Sequence, residues 1–472
     1  MSVFVPRPYQ RLMTQFLIDT PRCNLYAGMG TGKGPATLEA ITTLLLFGEV
    51  QRVLVVAPKR VALSTWPGEI QKFCDSFGHM TCAVAIGDAT TRHAAIRFGA
   101  DITTINYDNL TWLVDNYGTT WPFDMIVCDE SSRLAGLRVS LRTSKNGKQF
   151  LTGQGGSRAK SLARVALTKA KRFVNLSGTP AANGLEQLWG QCFYLDAGRR
   201  LGTSFTAFQQ RWFRQLPGGD NYARIEPMPH ADSQIRAAIK DVTIAIEARD
   251  HFDLPPLIEN IIHVDMPPSA RKQYKEMERD LFTWLVDGRL LEAFSAGAKS
   301  QKCLQLAAGA AYTDDQGNWV EVHDAKIEAL QSVIEEAAGM PVLVFYHFKS
   351  DLARIQKALP KAVHLGAKTQ TIDDWNAGRI PVLLAHPQSA GHGLSLQHGG
   401  NICCFFSSNW SLEADSQAIE RIGPTRQAQS GYKRPVFVHR IVAKGTLDEV
   451  VVARLKSKAS IQDALMEAMK NR

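Results

Sequence analysis

The sequence predicts an α/β protein made of two tandem lobes, each built on a parallel β-sheet. Short apolar runs alternate with helical patterns along the chain, an order typical of parallel sheets with helices on both faces. The runs are continuous and do not alternate with polar residues, so both faces of each strand should be buried. The series comes twice, and 472 residues suffice for two or three domains.

Ten apolar runs are candidate strands, five in each lobe. In the first lobe they are Asn24–Ala27, Val53–Ala57, Asp101–Asn106, Met125–Cys128 and Phe173–Leu176. In the second lobe they are Val342–Tyr346, Ala362–Leu365, Val382–Ala385, Ile402–Phe406 and Val436–Val442. Each run is bounded by polar or glycine-rich residues, as expected for strands that are joined by helices.

The two series are separated by a proline-rich stretch at about residues 252–266. It contains DLPPLIEN and DMPPS, and paired prolines favour an extended linker over a helix. A helix is expected over Ala270–Val286. The predicted organisation is a first lobe at 1–255 with a basic insertion at about 138–172 and a helical insertion at about 196–250, and a second lobe at 256–472 with a helical insertion at about 266–320.

The bulk composition excludes several classes of protein. Hydrophobic residues make up 45% and charged residues 21%, which is normal for a folded soluble domain. No apolar segment precedes PRPYQ, so we expect no signal peptide, and runs such as ITTLLLFG are too short to cross a membrane. Eight scattered cysteines without a CxxC pair favour reduced thiols in a cytoplasmic protein over a disulfide or zinc framework.

The positive charge is concentrated in one segment. Between Ser131 and Leu185 there is no Asp or Glu, and removing the eleven bases of this segment from the net charge of +9 leaves −2. The bases are Arg133, Arg138, Arg142, Lys145, Lys148, Arg158, Lys160, Arg164, Lys169, Lys171 and Arg172. One face or loop would then carry the whole excess, and 143–157 should be an exposed loop. A polyanion partner is one interpretation, and a solvated basic face is the other.

The strongest local signal is GMGTGKGPATLEA at residues 28–40, directly after the apolar run NLYA. A strand, a glycine-rich loop and a helical pattern in this order are typical of a phosphate-binding loop. The glycines let backbone N–H groups converge on phosphate oxygens, and the helix N-terminus adds positive potential. Lys33 would reach the β- and γ-phosphates of a nucleotide. A fortuitous glycine-rich turn is the alternative.

Gly34 and Pro35, the two residues that follow Lys33, depart from the usual loop. The residue directly after the lysine is normally a Ser or Thr whose hydroxyl binds Mg²⁺, and Gly34 has no hydroxyl. Pro35 has no N–H. Proline suits the first turn of a helix, so the helix can still begin here. Mg²⁺ usually keeps several waters, and one of them could replace the hydroxyl. Thr37 lies one turn further on and is expected to be core or surface.

Two adjacent carboxylates follow the strand MIVC. Burying two acids at a strand end is costly unless they have a function. Asp129 would hold Mg²⁺ through water, and Glu130 would orient and deprotonate the attacking water in a phosphoryl transfer. A strand-terminal turn with solvated acids is the alternative. SGTP at 177–180 ends the next strand and could sense the γ-phosphate, although alone it is an ordinary turn.

Basic residues also stand where ligands bind. Lys59 and Arg60 close the second strand, and parallel sheets bind ligands at the carboxyl ends of their strands. In the second lobe GHGLSLQ follows the strand PVLLAH. Gln417 and Arg421 are four residues apart and so share one face of a helix. An arginine can stabilise charge on a transferring γ-phosphoryl group, but a surface ion pair is the commoner role of a single arginine.

In this order, RPYQ, GMGTGK, VLVVAPKR, DESSRL, SGTP, VLVFYHF, GHGLSLQ and QAIERIGPTRQ resemble the motifs of superfamily two helicases, in the Swi/Snf-like branch. The residues of these motifs are most similar to those of the short phage-encoded members, and the resemblance covers nearly the whole chain. It implies two RecA-like lobes with ATP and Mg²⁺ in the cleft between them. It also implies duplex or branched DNA bound without sequence preference, in the cytoplasm of the host cell.

The resemblance implies a role for individual residues. Gln10 contacts adenine, Asp129 serves the metal, Glu130 serves the water, and Arg421 and Arg426 act as arginine fingers. The nucleotide-binding set is Gln10, Gly28, Gly30, Thr31, Gly32, Lys33, Gly34, Gly393 and Gln417. The DNA-binding set is Lys59, Arg60, Arg133, Arg138, Arg142, Lys145, Lys148, Arg158 and Lys160.

Three hypotheses remain open for the activity. The first is a monomeric ATP-dependent DNA translocase or helicase, which the DE pair beside an intact GxGK favours. The second is a DNA-binding scaffold or nucleotide-gated clamp with impaired turnover. It is favoured by Gly34, Pro35 and Pro424, the last standing where the family usually has its second arginine. The third is a motor that displaces a phage or host protein from DNA through residues 196–320.

Overall fold

The computed structural model describes residues 2–28, 30–144, 146, 149–215, 225–251, 253–286, 293–314, 317–366, 369–390 and 394–469. Residue contacts divide this part of the chain into two compact units. The first contains residues 2–215, 225–251 and 460–469, and the second contains residues 253–459. Each unit is organised around its own parallel sheet.

The first unit has a seven-stranded sheet and two small hairpins. Its strands are β1 (Arg22–Ala27), β2 (Val53–Ala57), β3 (Cys82–Val84), β4 (Ile102–Asn106), β5 (Met125–Asp129), β6 (Arg138–Thr143), β7 (Gln149–Gln154), β8 (Arg172–Ser177), β9 (Phe213–Gln215), β10 (Ile225–Pro227) and β11 (Thr243–Ile246). The sheet has the order β11-β1-β8-β5-β2-β4-β3, and all its neighbours are parallel. The pairs β6–β7 and β9–β10 are antiparallel.

Helices connect these strands and cover the sheet. They are α1 (Pro8–Asp19), α2 (Lys33–Leu46), α3 (Trp66–Lys72), α4 (Cys74–Phe77), α5 (Ala89–Phe98), α6 (Leu110–Tyr117), α7 (Ser157–Ala166), α8 (Glu186–Asp196), α9 (Phe205–Trp212) and α10 (Ala231–Ile239). A π-helical turn at Val61–Thr65 leads into α3. The core contains Tyr26, Ile126 and Phe173 from the strands and Trp189 from α8, all of them fully buried.

The second unit has a six-stranded parallel sheet in the order β12-β19-β18-β15-β17-β16. Its strands are β12 (Leu257–Val264), β13 (Ala310–Tyr312), β14 (Trp319–Glu321), β15 (Val342–Phe345), β16 (Val363–His364), β17 (Val382–Ala385), β18 (Ile402–Phe405) and β19 (Val436–Ala443), with β13 and β14 forming a separate hairpin. Its helices are α11 (Pro268–Val286), α12 (Ala293–Ala308), α13 (Ala325–Glu336), α14 (Lys349–Ala358), α15 (Thr369–Asn376), α16 (Pro387–Ala390), α17 (Leu412–Glu420) and α18 (Pro424–Gln429). The last helix, α19 (Leu447–Met469), begins in the second unit, and its residues from 460 onward belong to the first.

The predicted α/β fold class with two parallel sheets is confirmed. All ten predicted strands are present, and no end differs by more than two residues. Continuous apolar runs locate them well because every residue of such strands as β2 and β17 is buried. All eight cysteines are free, and six of them are buried. In the described ranges, the helices are all too short or too polar to span a membrane.

The interpretation of residues 252–266 as a linker is wrong for Leu257–Val264, which form β12 at the edge of the second sheet. The strand escapes prediction because more than half of its residues are exposed, so the sequence shows no continuous apolar run. Its flanking prolines lie outside the strand, where a missing N–H removes no ladder hydrogen bond. The helical insertion at 196–250 likewise contains β11, which extends the first sheet beside β1.

The expected exposed loop over 143–157 is also wrong in part. Gln149–Gln154 form β7, which pairs with β6, and α7 begins at Ser157. Backbone hydrogen bonds hold this hairpin, and they require no apolar pattern in the sequence. Eight residues separate the hairpin from the carboxyl end of β5, which bears the two carboxylates. Phe150 and Leu151 of β7 line one cavity with Pro21 and Arg22 at the start of β1.

Candidate functional site

The glycine-rich loop connects β1 to α2, as predicted. Gly30 and Gly32 have φ angles of 77° and 81°, in the left-handed region that favours glycine. Lys33 is the first residue of α2, and its Nζ donates a hydrogen bond to the carbonyl of Ala27 at 2.8 Å. The ammonium group therefore lies along the loop. Pro35 lies in the first turn of α2, so the helix begins where the sequence predicts.

Gln10 lies against the same loop. Its Nε2 donates to the carbonyl of Thr31 at 3.0 Å, and its Oε1 accepts from the N–H of Arg7 at 2.9 Å. A Cβ atom at Gly32 would lie 2.3 Å from Gln10 Nε2, so a side chain at residue 32 would displace the amide. A carboxamide has two N–H donors and an oxygen with two lone pairs. Gln10 can thus support the loop and still contact a base.

Asp129 is the last residue of β5, and two aromatic residues hold it in place. Its Oδ2 accepts a hydrogen bond from Trp66 Nε1 at 3.0 Å, and its backbone carbonyl accepts one from the Tyr107 hydroxyl at 2.8 Å. Burial raises the pKa of the Asp129 carboxyl, and the charge of Lys33 opposes this rise. A carboxylate oriented by a partner of this kind suits a metal ligand. Neither Trp66 nor Tyr107 is among the site residues that the sequence predicts.

Glu130 has a backbone conformation that is rare outside glycine. Its φ and ψ are 59° and 54°, in the left-handed region. Such a conformation costs of the order of 1–3 kcal/mol and is concentrated at functional sites. The residue predicted to orient the attacking water is therefore also a site of backbone strain. The turn follows directly from the end of β5.

Glu69 adds a carboxylate that sequence analysis did not single out. A Cβ atom at Gly34 would lie 2.0 Å from Glu69 Oε2. Burial and then the charge of Asp129 raise the pKa of Glu69 to about 8, and Lys72 opposes this rise. The available signal was the spacing of Trp66 and Glu69, which are three residues apart and so share a face of α3.

The donor set near the loop fits a metal that arrives with a nucleotide. Within the described ranges, no group of three or more His, Cys, Asp or Glu side chains is placed to hold a metal ion. Mg²⁺ at nucleotide sites takes one or two carboxylates and completes its shell with phosphate oxygens and water. The fixed carboxylate of Asp129 meets that requirement. The hydroxyl of Thr37 does not, because Thr37 is fully buried one turn into α2, where it donates to the carbonyl of Lys33 at 2.7 Å.

A buried glutamine links the turn after Glu130 to the SGTP turn. Ser131 Oγ donates to Gln191 Oε1 at 2.9 Å, and Gln191 Nε2 donates to the carbonyl of Pro180 at 2.7 Å. Gln191 is fully buried on α8. The ends of β5 and β8, which are neighbours in the sheet, are thus joined by one side chain. The sequence gives no sign of this link because Gln191 lies 60 residues after Ser131 and belongs to neither motif.

Some of the predicted DNA-binding residues are exposed. This group comprises Lys59, Arg60, Arg133 and Arg142. Lys59 and Arg60 follow the end of β2, and Arg142 lies on β6 of the hairpin. Lys145 and Lys148 lie outside the described residues, as does Gly393 of the nucleotide-binding set.

Other members of the DNA-binding set make contacts within the first unit. Arg138 donates to the carbonyls of Ala135 and Leu137, both at 2.7 Å, and stacks on the ring of Phe205. Burial lowers the pKa of Arg138. Arg158 forms an exposed ion pair with an aspartate, and Lys160 contacts a carbonyl of β7. Of these three residues, Arg138 makes the most extensive contacts within the first unit.

The prediction that one face or loop carries the whole positive excess is wrong. Arg172 begins β8, where its guanidinium contacts the carbonyl of Ile18 and pairs with Glu49 at 3.4 Å. Lys171 pairs with Asp124 at 3.1 Å just before the start of β5. The segment runs from the carboxyl end of β5 to the amino end of the parallel strand β8, so its bases are distributed over both edges of the sheet.

In the second unit, Gln417 and Arg421 are one helical turn apart, as predicted. Arg421 follows α17 and is 5% exposed. Its Nε donates to the carbonyl of Gln417 at 3.1 Å, and a terminal nitrogen donates to the carbonyl of Leu394 at 3.2 Å. Arg426 lies on α18 and donates to Ser395 Oγ at 3.2 Å. Both arginines therefore contact the described part of GHGLSLQ, at Leu394 and Ser395.

Comparison with known proteins gives consistent matches. Residues 19–309 match the family model described as SNF2-related domain. The chain is 50% identical to protein p41 of Acyrthosiphon pisum secondary endosymbiont phage 1, with 100% of both chains covered. It is 22% identical to the DNA repair and recombination protein RAD54 of Oryza sativa subsp. japonica, covering 98% of this chain and 52% of that protein. The chain thus spans about half the length of this larger relative.

A solved structure also aligns with the chain. It is the Sulfolobus solfataricus SWI2/SNF2 ATPase core in complex with dsDNA, with a TM-score of 0.44 and 22% identity. The alignment covers 99% of this chain and 94% of that chain.

Proposed function

Because this chain belongs to the SNF2-related family, as its resemblance to Swi/Snf-like helicases implies, we propose that it is an ATP-dependent DNA translocase. Its substrate would be double-stranded or branched DNA. The observation that carries the proposal is the arrangement at the carboxyl edge of the first sheet. There Lys33 lies near enough to Asp129 to oppose the rise in its pKa, and the strained Glu130 follows directly.

Each of these residues has a role in the proposed reaction. Lys33 and the loop N–H groups would bind the β- and γ-phosphates of ATP. Asp129 would hold Mg²⁺, which when bound neutralises charge on the phosphates. Glu130 would orient the attacking water and take its proton, and Gln10 would contact adenine. Arg421 and Arg426 would stabilise the charge that develops on the γ-phosphoryl group.

DNA would be bound through its phosphates. The exposed bases of the first unit, including Arg60, Arg133 and Arg142, supply charge of the required sign. Phosphate contacts carry no sequence information, so binding without sequence preference follows. The relative RAD54 is named as a DNA repair and recombination protein, which is consistent with a DNA substrate.

The test of this function is steady-state ATP hydrolysis by the purified full chain, with and without duplex DNA. We expect turnover to rise when DNA is added, and to fall to background in Lys33→Ala because the phosphates lose their ammonium partner. Binding of DNA by Lys33→Ala in the absence of nucleotide should equal that of wild type. Wild-type turnover equal to that of Lys33→Ala would contradict the proposal.

A second candidate function is a DNA-binding scaffold or nucleotide-gated clamp. The observation that favours it is Gly34, which removes the hydroxyl that usually holds Mg²⁺. Losing one preorganised donor can lower a rate by about 10²-fold or more. In the hydrolysis experiment, this candidate predicts no turnover above that of Lys33→Ala. In a binding experiment, it predicts tight DNA binding that weakens as the salt concentration rises.

Neutralising Arg142 of β6 together with the next two bases along the chain, in Arg142→Ala/Lys145→Ala/Lys148→Ala, should weaken duplex binding. The slope of log affinity against log salt concentration should become shallower by up to about 0.9 for each phosphate that the variant no longer neutralises. Fluorescence anisotropy with labelled duplex DNA at several salt concentrations measures both quantities. The control is Lys169→Ala/Lys171→Ala, which removes two bases of the same acid-free segment, just before the amino end of β8. A triple variant with the wild-type slope would show that these three bases do not contact the DNA phosphates.

A further inference from the structure

We propose that Glu69 supplies the metal-facing oxygen that residue 34 lacks. The inference rests on the proposed nucleotide function and adds one ligand to its site. In the usual phosphate loop this oxygen belongs to a Ser or Thr hydroxyl. Here it would belong to a carboxylate on a different helix, α3. Glycine at residue 34 would then make room for the Glu69 carboxylate, so one metal ligand would replace another and none would be lost.

The Glu69 carboxylate lies against Gly34, in the space where a side chain at residue 34 would stand. A Cβ atom built there would lie 2.0 Å from Glu69 Oε2, 2.9 Å from its Cδ and 3.1 Å from its Oε1. A serine or threonine hydroxyl is only one bond beyond Cβ. The Glu69 carboxylate therefore occupies the volume that the missing side chain would fill, and only glycine at residue 34 leaves it room.

The same helix positions a second carboxylate. Trp66 begins α3 and donates through Nε1 to Asp129 Oδ2 at 3.0 Å. Glu69 lies three residues further on, close enough to Asp129 for their charges to interact. α3 thus presents one carboxylate directly and fixes the other through an indole. Two carboxylate oxygens from separate elements, completed by phosphate and water, are a donor set that Mg²⁺ and Mn²⁺ accept.

A purely space-filling role for Glu69 is the competing explanation, and it makes a different prediction. Space filling depends on the size of the side chain, whereas ligation depends on a carboxyl that can give up its proton to bind the metal. Glu69→Gln keeps the size and removes the ability to ionise. Gly34→Ser/Glu69→Ala removes the carboxylate and restores the usual hydroxyl. Only ligation predicts that the first variant loses metal affinity and that the second regains it.

The experiment measures Mn²⁺ binding by electron paramagnetic resonance, using the full chain with saturating ADP and no DNA. We expect Glu69→Gln and Glu69→Ala to weaken Mn²⁺ binding by about 10-fold or more, the range found when groups that support a metal site are removed. Gly34→Ser/Glu69→Ala should return to within a few-fold of wild type. Asp75→Asn, which neutralises an exposed acid on the adjacent helix α4, should have no effect.

Metal-free ADP affinity and the melting temperature control for folding. If Glu69→Gln fails to fold, Glu69→Asp provides the second variant, since it keeps the charge but withdraws the oxygen and should also weaken Mn²⁺ binding. Unchanged Mn²⁺ affinity in the folded Glu69 variants, with ADP bound, would overturn this inference and leave the proposed function standing. Failure of the wild-type chain to bind ADP at all would overturn both.

Discussion

Glu130→Gln is expected to reduce DNA-stimulated ATP hydrolysis by about 10²- to 10⁴-fold, the range that a positioned general base contributes. Glutamine has the same shape as glutamate and can still contact a water, but it cannot accept the proton. The substitution leaves Lys33 and Asp129 in place, so the binding of ATP and of duplex DNA should be retained. Rapid-quench measurement of one turnover separates the chemical step from product release.

The control for this variant is Glu49→Gln, which neutralises an exposed glutamate that pairs with Arg172 outside the site. Its turnover should equal that of wild type. If Glu130→Gln kept more than about a tenth of wild-type activity, Glu130 would not be the base. The strain at its φ of 59° would then need another explanation, such as aiming the residues that follow it.

Lys326→Met is expected to destabilise the second unit by about 3–5 kcal/mol, because it breaks a buried ion pair from one side. Lys326 on α13 is fully buried, and its Nζ lies 2.5 Å from Asp448 Oδ2, which is also buried. The ammonium also donates to the carbonyl of Phe406 at 3.3 Å. Without it, the Asp448 carboxylate remains in the interior without its cation.

Hydrogen exchange of peptides from β18 and β19 in urea measures this effect, because it reports opening of the second unit separately from the first. Lys326→Met/Asp448→Leu should recover most of the loss, since replacing both charges by apolar groups is often neutral. The matched control is Lys444→Met, whose exposed pair with Asp265 at 2.7 Å should contribute less than about 1 kcal/mol. Equal losses in the Lys326 and Lys444 variants would contradict the argument from burial.

The sheet interiors could be predicted from the sequence, and the sheet edges could not. A strand such as β2 is buried on both faces, so its five apolar residues identify it without knowledge of its neighbours. More than half of the residues of the edge strand β12 are exposed, and its identity depends on pairing with β19 over eight residues. That pairing joins segments about 180 residues apart and leaves no local pattern.

The same distinction applies to the candidate site. Lys33, Asp129 and Glu130 stand in motifs whose spacing is local, so the sequence indicates them. The sequence does not indicate that Glu69 belongs to the site, because Glu69 approaches Gly34 only through the packing of α3 against α2. The sequence also cannot show that Arg138 turns inward onto Phe205 while Arg142, on the same strand, is exposed.

The contact between Gln10 and the phosphate loop has a consequence for how the two parts of ATP bind. One carboxamide contacts the carbonyl of Thr31 and, in its proposed role, the base. Any change that a base makes in the orientation of this amide is passed to the loop. By thermodynamic reciprocity, loop closure on a triphosphate changes the affinity for the base to the same extent. Adenosine and the triphosphate chain would then bind cooperatively, so the binding energy of ATP would not be the sum of the energies of its two parts.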